Sequence, residues 1–258
     1  MIAFSGARVA HRVRSAALCV TALFFAGNVQ PSPAHIRSIA IISALGDTCM
    51  FERLPDSGFE WIAPPVASFL EISDWDIDGD VTNSVTKQLG ARYQVQSIAI
   101  ERQDFDSWTY GSLARHIREL PIPETPVDAY LLVLRDWRHD GIGNTSHQVG
   151  GLGLYRRDRP GGRVRFGVFA SYRLVLLDAD NGHLIASRPA LLPDGRLPWL
   201  AAPSSLWPRT PNDLTSAQQG ELRTDFKTLI DSTLPLALKT LGIVPMPRHR
   251  SHIVGDNE

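Results

Sequence analysis

Residues 163–188 read RVRFGVFASYRLVLLDADNGHLIASR. Two β-rich runs, Arg163 to Asp178 and His183 to Arg188, flank Asp180-Asn181-Gly182. Asn-Gly accepts the positive φ angles of a type I′ turn, so this stretch predicts a hairpin with a two-residue loop. With Gln148 to Arg156 just upstream it extends to an antiparallel meander, and the fold class turns on what surrounds that meander.

Upstream, Val127 to Leu134 (VDAYLLVL) reads as a buried strand. Ser107 to Leu120 reads as a helix, with Trp108, Leu113, His116, Ile117 and Leu120 at helical spacing and Pro121 ending it. Tyr93 to Ile100 alternates as a strand does. Ile77 to Tyr93 reads as a helix because Val81, Val85 and Leu89 form one stripe. Asp78 or Asp80 is placed to cap its first turn, and Gly90 to stop it. Cys49 to Leu54 and Phe59 to Ile62 flank the turn residues Pro55-Asp56-Ser57-Gly58 and predict another hairpin. His35 to Leu45 (HIRSIAIISAL) is Ile-rich and reads as a buried strand.

Downstream, Pro189 to Pro211 holds six prolines with Trp199 and Trp207, and reads as an irregular crossing rather than an element. Leu214 to Leu241 predicts an amphipathic C-terminal helix that Pro235 kinks or splits. The expected fold is α+β: one domain over residues 35–245, a mixed and mostly antiparallel sheet, and helices packed mainly on one face. Residues 246–258 are polar and expected to form a flexible tail.

Residues 1–34 predict an export signal. Arg8, Arg12 and Arg14 precede the uncharged run AALCVTALFFA (Ala16 to Ala26), which is shorter than the roughly 20 residues a spanning helix needs. Ser32-Pro33-Ala34 is the best small-x-small cleavage site and would leave His35 first. Leu18 stands where a lipobox before Cys19 wants a small residue, which speaks against lipidation. The expected location is periplasmic or secreted, with no membrane span in the mature chain. Cleavage would leave Cys49 as the one cysteine, so no intramolecular disulfide is expected.

The whole chain has 26 basic and 27 acidic side chains among 258 residues, a formal charge of -1. That balance, without a block of like charges, argues against nucleic acid as a partner. At 43% hydrophobic and 21% charged the composition is that of a globular protein.

The segments IRSIAIIS, VTNSVTKQLGARYQVQSIAI, VDAYLLVL and YRLVLLDADNGHLIAS, in that order, resemble bacterial envelope proteins with an anticodon-binding-like fold. That group includes the TolB amino-terminal domain and the curli-channel subunit CsgG. The likeness covers roughly residues 36–188 and rests on element order. It implies a non-catalytic envelope binding or assembly module, with an envelope protein or small ligand as partner and no cofactor.

Three groups of residues carry possible chemistry. Asp74, Asp76, Asp78 and Asp80, with Gly79, match the first half of a calcium loop, but Val85 stands where the bidentate Glu belongs. Gly46-Asp47-Thr48 after the first strand, with Asp180 and His183 later, is an SGNH-like hydrolase pattern in which Thr48 replaces the nucleophilic serine. The loop after Leu134 holds Asp136, Trp137, Arg138 and His139, with His147 and Tyr155 beyond it. Trp, Tyr and Arg are common interface anchors, so these six residues are the expected binding site. The two histidines also give a weak metal pattern.

Overall fold

The computed structural model describes residues 35–54, 66–99, 123, 125–139, 148–159 and 163–244. In chain order the strands are β1 (Ser38–Ala44), β2 (Thr48–Leu54), β3 (Val66–Glu71), β4 (Gln94–Ser97), β5 (Ala129–Arg135), β6 (Arg138–His139), β7 (Gln148–Val149), β8 (Gly151–Arg159), β9 (Arg163–Asp178), β10 (Leu184–Pro189) and β11 (Trp199–Ala201). The helices are α1 (Ile77–Leu89), between β3 and β4, and α2 (Ser216–Leu241), after β11.

The main sheet runs β3-β2-β8-β9-β5-β1-β4, with β10 and β11 also paired to β9. Pairing is parallel at β1–β4, β1–β5 and β2–β8 and antiparallel elsewhere, the mixed α+β arrangement expected. Ile39 and Ile41 of β1 join the core on the helix-bearing face, while Ala40 and Ile42 join a cluster on the other face. All four are fully buried, which is why β1 reads as a continuous apolar run.

The stripe of α1 is Ile77, Val81, Val85 and Leu89, all buried against this face. The matching stripe of α2 runs from Leu222 and Phe226 to Leu238 and Leu241. Thr215 caps α2 through a capping box with Gln218. α2 continues through Pro235 rather than splitting there. A proline inside a helix costs about 3 kcal/mol, but Pro235 is exposed while Thr233, Leu234, Ala237 and Leu238 around it are buried.

The 16-residue strand β9 is the spine of the sheet. Its first half pairs with β8 and β11, and its second half with β5 and β10. The Pro-rich crossing therefore does contain an element, since Trp199–Ala201 add to β9 opposite Gly167–Phe169. The β9–β10 hairpin forms, but its turn is wider than a two-residue type I′ loop. Only Gly182 has positive φ, at 70°, and the Asp178 carboxylate accepts the Asp180 and Asn181 N–H groups. That side-chain cap lets Asn181 keep a negative φ.

The partner of β2 in its hairpin is β3. The turn at 55–58, the run Phe59–Ile62, the expected helix over 107–120, residues 1–34 and the tail 246–258 lie outside the described residues. Among the described residues no helix is long and apolar enough to cross a membrane.

Candidate functional site

The parallel strands β1 and β5 end side by side, with Ala44 opposite Leu134. After Ala44 the chain turns at once. Asp78, in the first turn of α1, accepts the Ser43 hydroxyl at 2.5 Å and the Leu45 and Gly46 N–H groups at 2.9 and 3.2 Å. The carboxylate therefore closes the β1 end rather than capping its own helix. Beside it lies a cleft of about 240 Å³ lined by Ser43, Asp76, Asp78, Thr82 and residues 97–99.

After Arg135 the chain instead leaves the sheet. Arg135 stands opposite Tyr172 of β9, and the next ladder position, Ser171, is opposite Gly151. The chain between Arg135 and Gly151 is thus an insertion between two strands that share one partner. Asp136 anchors the departure: its N–H donates to the Ser171 carbonyl at 3.0 Å, and its carbonyl accepts the Ser171 hydroxyl at 2.6 Å. Asp136 is 7% exposed, and its carboxylate takes a two-pronged contact from Arg173, at 2.8 and 3.2 Å. Arg138 adds a further ion pair at 3.8 Å. Burial pushes the Asp136 carboxyl above the usual carboxylate range, against the pull of Arg138. Arg173 also donates to Ser187 of β10. Arg135 pairs with Asp47, which joins the two strand ends.

On this frame Trp137 stands 53% exposed. Its indole lies over Gly150, where a Cβ would come within 2.6 Å of the ring. Glycine there is required by that close approach. The β6–β7 pairing, Arg138 opposite Val149 and His139 opposite Gln148, holds the two limbs of the excursion together.

Four of the six expected binding residues, Asp136, Trp137, Arg138 and His139, are contiguous on this excursion, and His139 is exposed. His147 lies outside the described residues. Tyr155 is fully buried with Met50, Val149, Phe169 and Leu197 and is no part of an exposed surface. Tyr155 points inward because the pleat alternates along β8, a parity that depends on register. Arg173 was missed in the sequence, although a lone charge inside the apolar run of β9 is a signal that a buried partner exists.

The four aspartates of the calcium-like stretch are not gathered into one site. Asp78 is spent on the β1 end, Asp80 faces Arg223 of α2 at 3.8 Å, and Asp74 and Asp76 are exposed. Asp76 takes a left-handed conformation, φ 51°, at the start of α1. Among the described residues no group of three or more His, Cys, Asp or Glu is placed to hold a metal.

The hydrolase pattern is also dispersed. Thr48 precedes Cys49, which is beside Leu152 and so level with Ala170 of β9, whereas Asp180 and His183 follow Asp178 at the other end of that strand. Eight residues of strand, roughly 25 Å, separate them. The side chain of Cys49 is fully buried, and burial pushes its thiol up, so it is no nucleophile.

No family model and no curated protein matches the chain. Among solved structures, the chain is similar to a Xanthomonas campestris protein of family DUF330, at 11% identity and TM-score 0.33, over 81% of this chain and 85% of that one. It is also similar to the lipoprotein GNA1162 of Neisseria meningitidis, at 12% identity and TM-score 0.29, over 75% of this chain and 97% of that one. Likenesses of this size say nothing about function.

Proposed function

We propose that the mature chain works outside the cytoplasm, in the bacterial envelope, as a non-catalytic binding or assembly module that takes its partner on the excursion between β5 and β8. The observation that carries this reading is the display of Trp137. A large indole is held 53% exposed beside the buried Asp136, which pairs with the partly exposed Arg173. Rigid backing lowers the entropy lost on docking, and Trp buries much area while keeping a polar N–H. Export is supported by the arginine-then-apolar pattern of residues 1–34.

Two measurements test the proposal. Trp137→Ala should weaken capture of a partner from an envelope extract by roughly 30-fold, the equivalent of about 2 kcal/mol, with a thermal midpoint within a few degrees of the parent. A large fall in midpoint with undiminished capture would show that Trp137 packs rather than binds. N-terminal sequencing of the exported protein should give a start near His35, and an intact Met1 in the cytosol would refute export.

A further inference from the structure

After β10 the chain makes a tight turn over residues 190–196 before it reaches β11. Ala190 fastens its start, the N–H donating to the Tyr172 carbonyl of β9 at 2.8 Å. The Leu192 N–H then donates to the Arg196 carbonyl at 2.9 Å, and the Gly195 N–H to the Leu192 carbonyl at 2.8 Å. Gly195 stands at φ 80°, a conformation that glycine adopts without penalty. This pinned turn and the last turns of α2 border a cleft of about 380 Å³. Leu191, Leu192 and Pro193 line it from the turn, and Leu236 and Ala237 from the helix. Leu191, Leu192 and Leu236 are only half-buried, so apolar area is left open in a concave place.

The polar groups around the cleft are spent on their own neighbours, with one exception. The Thr240 hydroxyl donates to the Ala237 carbonyl at 3.0 Å. Asp194, next to Pro193, accepts the Arg196 N–H at 3.1 Å and its Nε at 2.6 Å. Arg188 of β10 is the exception. It lies two residues from Ala186, which packs on the helix-bearing face, and therefore stands on the same side of the strand as α2. It is exposed, and among the described residues its guanidinium makes one bond, from Nη1 to the Ser187 carbonyl at 2.8 Å. A guanidinium has five N–H donors, so most of this fork is open to a ligand.

We infer that this cleft binds a long-chain fatty acid, with the acyl chain between the turn and α2 and the carboxylate on Arg188. Small-molecule sites are mostly apolar, hold a few convergent polar groups and span about 300–1,000 Å³. The cleft lies near the lower bound, a size that suits one acyl chain rather than the two of a phospholipid. A guanidinium fork matches the two oxygens of a carboxylate, and a single arginine at the rim suits a head of one charge. The turn is already fixed by its own hydrogen bonds, so little order has to be gained on binding. The cleft shares no residue with the Trp137 surface, and the two readings stand or fall separately.

The test is titration calorimetry of the full chain with octanoate, decanoate and dodecanoate, each below its micelle concentration. Affinity should rise roughly fourfold for each added methylene. Arg188→Gln should weaken dodecanoate roughly tenfold and bring it level with the neutral dodecanol. Leu236→Gln should weaken both ligands severalfold, and if that variant does not fold, Leu192→Gln on the opposite wall should do the same. The inference fails if none of the carboxylates binds, if dodecanol binds the parent as tightly as dodecanoate does, or if Arg188→Gln binds dodecanoate as the parent does. Unchanged binding in a folded Leu236→Gln or Leu192→Gln would place the acyl chain elsewhere and overturn it. Tighter binding of dodecyl phosphate than of dodecanoate would assign the cleft to a phosphate head and overturn the fatty acid.

Discussion

At the carboxyl end of β1 the chain crosses within three residues to β2, which runs in the same direction, and the crossing is fastened from outside by Asp78 of α1. At the carboxyl end of the neighbouring β5 it leaves the sheet after Arg135, and Asp136 fastens only the point of departure. Both ends rely on one poorly exposed carboxylate. The first satisfies backbone N–H groups and closes the loop, whereas the second pairs with a charged side chain of the next strand and leaves Trp137 outside. A carboxylate that serves the backbone fixes a short crossing, and one that serves another side chain fixes only the first residue of a longer one.

Asp78→Ala is expected to have the largest effect. It strips partners from the Ser43 hydroxyl and from two N–H groups, and at about 1 kcal/mol or more for each the loss should be about 3 kcal/mol. Denaturant unfolding would measure it, and a loss under 1 kcal/mol would mean that the β1 end is not held by this carboxylate.

Next in size is Arg173→Met, which leaves Asp136 buried without its two-pronged partner. The expected cost is about 2 kcal/mol, discounted because the Arg173 side chain is 25% exposed. Adding Asp136→Leu should recover most of it. If the double variant were no more stable than Arg173→Met, the contrast between a backbone-serving and a side-chain-serving carboxylate would lose its basis.

A smaller effect, about 1 kcal/mol, is expected for Gly150→Ala, since the added methyl must displace the Trp137 ring. Its clearest readout is Trp fluorescence, which should shift as the indole leaves its glycine shelf. Unchanged fluorescence would show that the ring is not seated there.

The smallest effect concerns the opposite end of the same two strands. Asp128 accepts the Arg37 and Ser38 N–H groups at 2.7 and 2.9 Å, and these bonds hold its carboxyl below the ordinary value of 3.8. The stability so gained is present above pH 3.8 and lost as the pH falls through the lower folded value. Asp128→Asn should therefore be slightly less stable than the parent at neutral pH, with the gap closing in titrations below about pH 4. A gap that persisted at pH 2 would mean the bonds do not depend on the charge.

The two loops also show why the site was only half legible. Trp137, Arg138 and His139 could be picked out because a polar, aromatic stretch after a buried strand has no role in the core. Tyr155 was picked out by the same reasoning and is buried, because its neighbour Gly153 leaves room for Phe169 and the pleat turns position 155 inward. Asp78 was singled out twice, as a calcium ligand and as a helix cap. Its actual task depends on β1 ending beside α1, which no local pattern encodes.

By itself the sequence determined the elements and their class. Period-two and period-3.6 repeats in β1, α1, β9 and α2 are properties of consecutive residues, and so are the Asn-Gly turn signal and the arginine-then-apolar start. Only the tertiary structure decided that β5 and β8 share one edge of β9 and that Trp199–Ala201 join the sheet. Those outcomes depend on which strands pair and in what register, and register is fixed by burial of both faces at once, summed over residues far apart in the chain.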